Sequence, residues 1–305
     1  MRAAVQIDNA ASVLQRTAKE NAMSAAKTFF ITGVSSGFGR ALADAAIEAG
    51  HRVVGTVRNG DACREFESRH AQQPGRAFAR ILDVTDFAAA ENIVPEVDAS
   101  IGAVDVLVNN AGYGHEGIFE ESDMDALRRQ FDVNVFGAVA VTRSFVPFMR
   151  RRRRGHIINI TSMGGFITMP GIAYYCGSKF ALEGISETLG KELKAFNVFV
   201  TAVAPGSFRT DWAGRSMVRS PRSIADYDAL FDPIRTTRRE RSGRQPGDPR
   251  KAAQAMLTLV DSPTPPAHLL LGSDALGLVR EKLDELTAEL SRWEALTRST
   301  DADDI

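Results

Sequence analysis

The 305-residue chain has little cysteine. Cys63 and Cys176 are too few, and too differently placed, for a disulfide framework or a cysteine-based metal site. A reducing, cytoplasmic setting is therefore expected. Long apolar runs are missing too: none approaches the ~20 residues that cross a bilayer, so no membrane span is expected. Nor is there an excess of charge of one sign. With 37 basic and 38 acidic side chains the formal net charge is −1, which gives no general attraction for nucleic acid or anionic membrane. Residues 1–22 carry Arg2 but no apolar core of a secretory signal, and Asp8 and Glu20 argue against an amphipathic transit peptide. We expect residues 1–23 to be a disordered extension, Met23 standing just ahead of the first strand. No internal repeat or flexible linker divides the remainder of the chain.

What is present is an alternation. Residues 28–32 form a short run rich in β-formers, followed by Gly33-Val-Ser35-Ser36-Gly37-Phe38-Gly39 and an Ala-rich helix over residues 40–49 closed by Gly50. Strand, glycine turn and helix N-terminus together make an anion site, since free N–H groups and the helix dipole face a phosphate. Glycines are needed where Cβ atoms would block a pyrophosphate. A glycine-rich connector without a ligand would read the same way, so the turn needs support from the rest of the chain. The second strand, residues 52–57, ends at Arg58. Dinucleotide folds that take NAD place an acid near here to bond the ribose 2′-hydroxyl. A cation suits a 2′-phosphate instead, so NADP(H) is expected in preference to NAD(H), with Arg58 as its anchor.

Further strands are expected at residues 77–82, 104–108, 156–161, 198–203 and 269–271. Asp83 and Val84 follow the third, Asp83 placed to reach an adenine and Asp86 to cap the next helix. Asn109, Asn110, Ala111 and Gly112 follow the fourth. A helical stretch over residues 122–151 carries Asn134 on an otherwise apolar face and runs into five arginines, residues 150–154. Those suit a helix C-terminus better than nucleic acid, since no aromatic residues interleave with them. Ser162 ends the fifth strand. A helix over residues 174–196 then places Tyr175 and Lys179 at i and i+4, on one face. An ammonium there favours the phenolate; moving a tyrosine from about 10 to near 7 needs roughly 4 kcal/mol. A tyrosine tuned this way is a general acid/base at neutral pH. Tyr174 is out of register with the lysine. Residues 207–247, with prolines and many arginines, read as a lid or binding loop. Asp248-Pro249 opens a capped helix. A last helix over residues 274–297 has an apolar stripe of Leu276, Leu283, Leu286, Leu290 and Trp293, fit to cover a substrate mouth or a second subunit.

Strands alternating with helices argue a parallel sheet covered on both faces. In order and spacing, Thr32-Gly33-x-x-x-Gly37-x-Gly39, Asn109-Asn110-Ala111-Gly112, Asn134, Ser162, Tyr175-x-x-x-Lys179 and Pro205-Gly206 resemble the short-chain dehydrogenases/reductases over about four-fifths of the chain. The resemblance implies one α/β domain, residues 24–274, with a seven-stranded Rossmann-type sheet and a C-terminal helix and tail over residues 275–305. It implies reversible hydride transfer between NAD(P) and an alcohol or carbonyl, in a homodimer or homotetramer. It gives Tyr175 the acid/base role, Lys179 the lowering of its pKa and a hold on the nicotinamide ribose, Ser162 the substrate oxygen, and Asn134 a water of the proton relay. Asn110 would support the cofactor ribose, and Thr210 would touch the carboxamide. Phe208 stands where the family commonly has an aliphatic residue. The segment Leu269-Leu270-Leu271-Gly272-Ser273-Asp274 looks similar to a branch acting on steroids, retinoids and other lipophilic carbonyls. Two other functions share these residues: an NADP(H)-binding redox sensor without turnover, and epimerase or dehydratase chemistry.

Overall fold

Strand residues of this chain alternate between two apolar cores, and that alternation sets the layers. The computed structural model describes residues 26–302, so the expectation for residues 1–23 lies outside the described residues. Phe29, Ile31, Val53, Val57, Val106 and Val108 point to one face, where they meet helices α1 (Gly37–Glu48) and α8 (Pro249–Val260). Phe30, Val54, Leu107 and Ile157 point to the other, against α3 (Phe87–Ser100) and α5 (Ala138–Arg152). Successive strand side chains face opposite ways, so a sheet buried on both faces reads as a continuous apolar run.

The seven strands are β1 (Thr28–Ile31), β2 (Arg52–Val57), β3 (Ala77–Ile81), β4 (Val106–Asn109), β6 (Gly155–Ile160), β7 (Val198–Pro205) and β9 (His268–Leu271). They lie in the order β3-β2-β1-β4-β6-β7-β9, and every pair is parallel. The order reverses between β1 and β4. That switch point opens a crevice at the strands' carboxyl ends, which is where open α/β sheets bind ligands. The glycine turn after β1 and Asn109–Gly112 after β4 both stand there.

Three features depart from the expectations. The helix expected over residues 122–151 is broken into α4 (Met124–Phe131), a π-helical turn (Asp132–Gly137) and α5. A second, two-stranded sheet pairs β5 (Gly114–Glu116) with β8 (Met217–Arg219), so residues 207–247 are not plain loop; they also carry helix α7 (Asp228–Glu240). The boundary expected at residue 274 falls in the first turn of α9 (Ser273–Arg298), which grows directly from β9. Helices α2 (Gly60–Arg69) and α6 (Ala173–Leu193) complete the set. The side chains of Asp86 and Asp248 cap their helices as expected, accepting from the Ala89 and Arg250 amides.

Candidate active site

The glycine turn is built from the backbone outward. Gly33 and Gly37 hold φ of +73° and +60°, which side chains with a Cβ rarely adopt. Gly39 is required by contact: a Cβ there would overlap Gly33 O and the Asn110 side-chain nitrogen. Asn110 explains that tightness. Its amide donates to Thr32 O at 2.8 Å and Gly33 O at 2.9 Å, tying the end of β4 to the turn. Its side-chain nitrogen is thus engaged by the turn, which it positions. Ser36, ahead of α1, is extended and makes no side-chain cap, leaving the first-turn N–H groups of α1 facing the crevice beside Ser35 and Phe38. An uncapped helix end behind a glycine cradle fits a pyrophosphate.

The flanks of this cradle hold the other expected contacts. Arg58 is exposed at the end of β2; hydrogen bonds from Thr85 hold the Asp83 carboxyl below the usual carboxylate range, with a smaller contribution from the Arg58 charge. Asp83 is therefore turned onto Thr85. Val84 is buried and packs against the π turn at Gly137. Ala111 contacts Gly33, and Gly112 faces the Asn134 amide. On the far side, β7 ends at Pro205; Gly206 N–H donates to Leu271 O at 2.8 Å, and Thr210 stands over Gly37. Phe208 is buried edge-on against Phe38, ring centroids 5.1 Å apart, and so walls the turn.

Asn134, Ser162, Tyr175 and Lys179 are brought together at the mouth of β6. Asn134 is buried in the π turn; its Oδ1 accepts from Tyr113 N at 3.1 Å and its Nδ2 donates to Tyr113 O at 3.0 Å and to Ser178 Oγ at 3.2 Å. π turns recur at functional sites because the wider coil aims a side chain that a regular helix would turn aside. Ser162 accepts from Gly164 N at 3.0 Å, which fixes its hydroxyl beside the Tyr175 ring. Lys179 donates to Ile160 O at 2.8 Å and lies 5.7 Å from the Tyr175 ring centroid.

The expected lowering of the Tyr175 pKa is not what this arrangement gives. Burial, the largest influence, pushes the phenol above its ordinary value, with the Ser162 and Trp212 side chains opposing. Burial likewise lowers the Lys179 amine to about 8, opposed by the Glu183 carboxylate. The i, i+4 spacing does bring Lys179 Nζ to 5.7 Å from the Tyr175 ring centroid, but burial sets the direction of the shift. Tyr175 is thereby held protonated at neutral pH.

Around the phenol the walls are apolar: Ile172, Cys176, Met169 and Trp212. Trp212 packs on Tyr175 with centroids 5.0 Å apart. An open groove of about 610 Å³ runs along α6 past Thr168, Pro170 and Phe180, sharing the Cys176 wall.

A cluster of buried ion pairs is centred on β5. Glu116, fully buried on β5, is met by Arg219 of β8 at 3.0 Å and by Arg235 and Arg238 of α7 at 3.2 and 2.6 Å. Nearby, Glu121 accepts from Arg222 and from the Ser223 and Ile224 amides. These ion pairs bind the 207–247 segment onto the catalytic core. No local pattern in the sequence announces them.

The family model for short chain dehydrogenases matches residues 27–218. The chain belongs to the short-chain dehydrogenase/reductase family. It is 34% identical over 271 residues to Oxidoreductase BOA17 of Botryotinia fuckeliana, covering 89% of this chain and 98% of that one. It is 34% identical over 244 residues to the 3-ketodihydrosphingosine reductase of Bacteroides thetaiotaomicron, covering 79% and 86%. Among solved structures, a short-chain dehydrogenase from Streptomyces avermitilis superposes with a TM-score of 0.84 at 41% identity, covering 92% of this chain and all of that one. This member is accordingly a dehydrogenase/reductase acting on CH–OH groups, with a nucleotide-binding Rossmann-type domain. Among its described residues, no helix is long and apolar enough to cross a membrane.

Proposed function

We propose that this short-chain dehydrogenase/reductase reduces a lipophilic ketone or aldehyde with NADPH, Tyr175 giving the proton. The observation that carries the reading is the juxtaposition of Ser162, Tyr175 and Lys179 inside the apolar wall of Ile172, Cys176, Met169 and Trp212. Asn110, Gly33, Gly37 and Gly39 form the cradle for the dinucleotide, with Arg58 for a 2′-phosphate and Thr210 toward the nicotinamide end. Bound there, a nicotinamide supplies or takes up the hydride. Ser162 Oγ orients the substrate oxygen. Tyr175, protonated at neutral pH, donates its proton to that oxygen as it gains charge. The Lys179 ammonium then stabilises the phenolate left behind. Asn134 fixes the Tyr113 backbone and Ser178, which holds the Tyr175 carbonyl at 2.7 Å and so the start of α6. In the oxidative direction the same phenol must first ionise, so oxidation gains with rising pH. The relative named as a 3-ketodihydrosphingosine reductase supports the reading of a lipophilic substrate. The absence of an acid at residue 58 supports NADPH.

The test is consumption of NADPH, and separately of NADH, by the purified protein across a panel of long-chain ketones and aldehydes. Turnover with NADPH strongly preferred is expected. NADPH binding without turnover on any member would favour the sensor reading, and product formation without net NADPH oxidation would favour an epimerase or dehydratase.

A further inference from the structure

Helix α9 leaves the body of the protein soon after it begins. Its buried residues are Ala275 and Val279, and from Leu283 to the end of the helix every residue is exposed. At 1.5 Å per residue this free part extends about 24 Å. A lone helix of that length is marginal in water. Yet this one carries a seven-residue repeat. Leu276, Leu283 and Leu290 recur at one position, and Val279, Leu286 and Trp293 recur three residues on, the a and d pattern of a coiled-coil seam. Leu283, Leu290 and Trp293 are 53%, 63% and 55% exposed. From Leu283 onward this stripe lies bare on a projecting helix and calls for an apolar partner.

The charges beside the stripe identify that partner. The helix carries six acidic and four basic residues, which does not suit an anionic lipid surface. The residues at the g positions flanking the seam are Lys282, Glu289 and Leu296. Neither Lys282 nor Glu289 makes an ion pair among the described residues. In a parallel pair of these helices g meets e of the partner, which sets Glu289 against Glu294. In an antiparallel pair g meets g, which sets Lys282 of each copy against Glu289 of the other, twice by symmetry. Leu283 of each copy then meets Leu286 of the other across the two-fold axis. We propose that α9 is a self-association surface, and that two copies of this chain pair through it in antiparallel order. The surface belongs to neither the cofactor crevice nor the Tyr175 site.

Sedimentation of the full chain tests this through charge swaps. Lys282→Glu and Glu289→Lys each replace both opposing pairs with like charges and should weaken association about tenfold. The double swap Lys282→Glu/Glu289→Lys restores opposite charges and should restore it. Within one helix these residues are seven apart and do not compensate one another, so rescue reports contact between copies. Leu286→Asp should abolish this association while helicity by circular dichroism and fluorescence-detected NADPH binding persist. Singles and Leu286→Asp with the wild-type mass, or a double swap no better than the singles, would overturn the proposal. So would a monomeric wild type in which deleting residues 1–25 alone uncovers Trp293 fluorescence, making the N-terminal segment the occupant. Wild-type protein that pellets with 3:1 phosphatidylcholine/phosphatidylserine vesicles through Leu286 would overturn it in favour of a lipid surface.

Discussion

Replacing Glu116 with alanine removes a carboxylate on which Arg219, Arg235 and Arg238 converge. Breaking a buried ion pair from one side costs about 3–5 kcal/mol. Here the arginine side chains are 20%, 16% and 13% exposed, so water reaches them, and the lower figure of about 3 kcal/mol applies. All three arginines belong to β8 and α7, so the cost falls on docking of that segment rather than on the seven-stranded sheet. A loss of about 3 kcal/mol is roughly a hundredfold in the docked-to-undocked ratio. Hydrogen exchange reads it directly. The amide of Gly114 donates to Ser216 O and that of Ser220 to Glu116 O, both at 2.9 Å, and both bonds open only when the segment lifts. In Glu116→Ala these amides should exchange up to about a hundredfold faster, while those pairing β1 with β4 keep their protection. Substrate KM should rise with it, because Trp212 sits on the same segment. Unchanged exchange at Gly114 and Ser220 in a folded variant would refute the assignment of Glu116 as the anchor.

Gly39→Ala places a methyl group on Gly33 O and the Asn110 amide; it should abolish dinucleotide binding measured by fluorescence while leaving most of the helicity, and retained binding would contradict the cradle. Arg58→Ala should weaken NADPH about tenfold or more with little change for NADH, the size of a lost charge-assisted contact; an unchanged ratio removes the 2′-phosphate argument. His156 is buried against Thr201 Oγ1 at 2.9 Å, and burial lowers its pKa to about 4. The unfolded chain takes up this proton near pH 6.5 and the folded chain only near 4. Stability is therefore whole above 6.5 and falls as pH drops through that window, by about 3 kcal/mol from this group. His156→Gln keeps a donor for Thr201 and should flatten the pH dependence of urea unfolding between pH 6.5 and 4; an unchanged slope would contradict the assignment.

The sheet was legible in the sequence because each of its seven strands is an apolar run bounded by turn residues, and parallel strands need nothing more to be recognised. The cradle was legible for a similar reason: Gly33, Gly37 and Gly39 answer a local demand of backbone geometry. The quantities that escaped depend on distant chain. Residues 114–116 and 217–219 are three-residue strands that pair across about a hundred residues, and neither has a period to detect. Glu116 looks like any surface acid until three arginines more than a hundred residues later close over it. Asn134 stood out, but the π turn that aims it did not, since the apolar pattern runs on from α4 into α5 with no proline to mark a break. For Tyr175 the i, i+4 spacing reveals the lysine but says nothing of the burial around the phenol, which pushes its pKa up. The apolar stripe on α9, by contrast, was visible from its spacing alone.

The proton delivery proposed for Tyr175 is tested most directly by Tyr175→Phe. The variant keeps the ring against Trp212 and loses only the hydroxyl. NADPH binding, followed by fluorescence, should stay close to that of the unaltered protein, while consumption of NADPH with the best ketone of the panel should fall by about a thousandfold or more. Reduction at a comparable rate with binding intact would show that another group supplies the proton, and the acid/base assignment would be withdrawn.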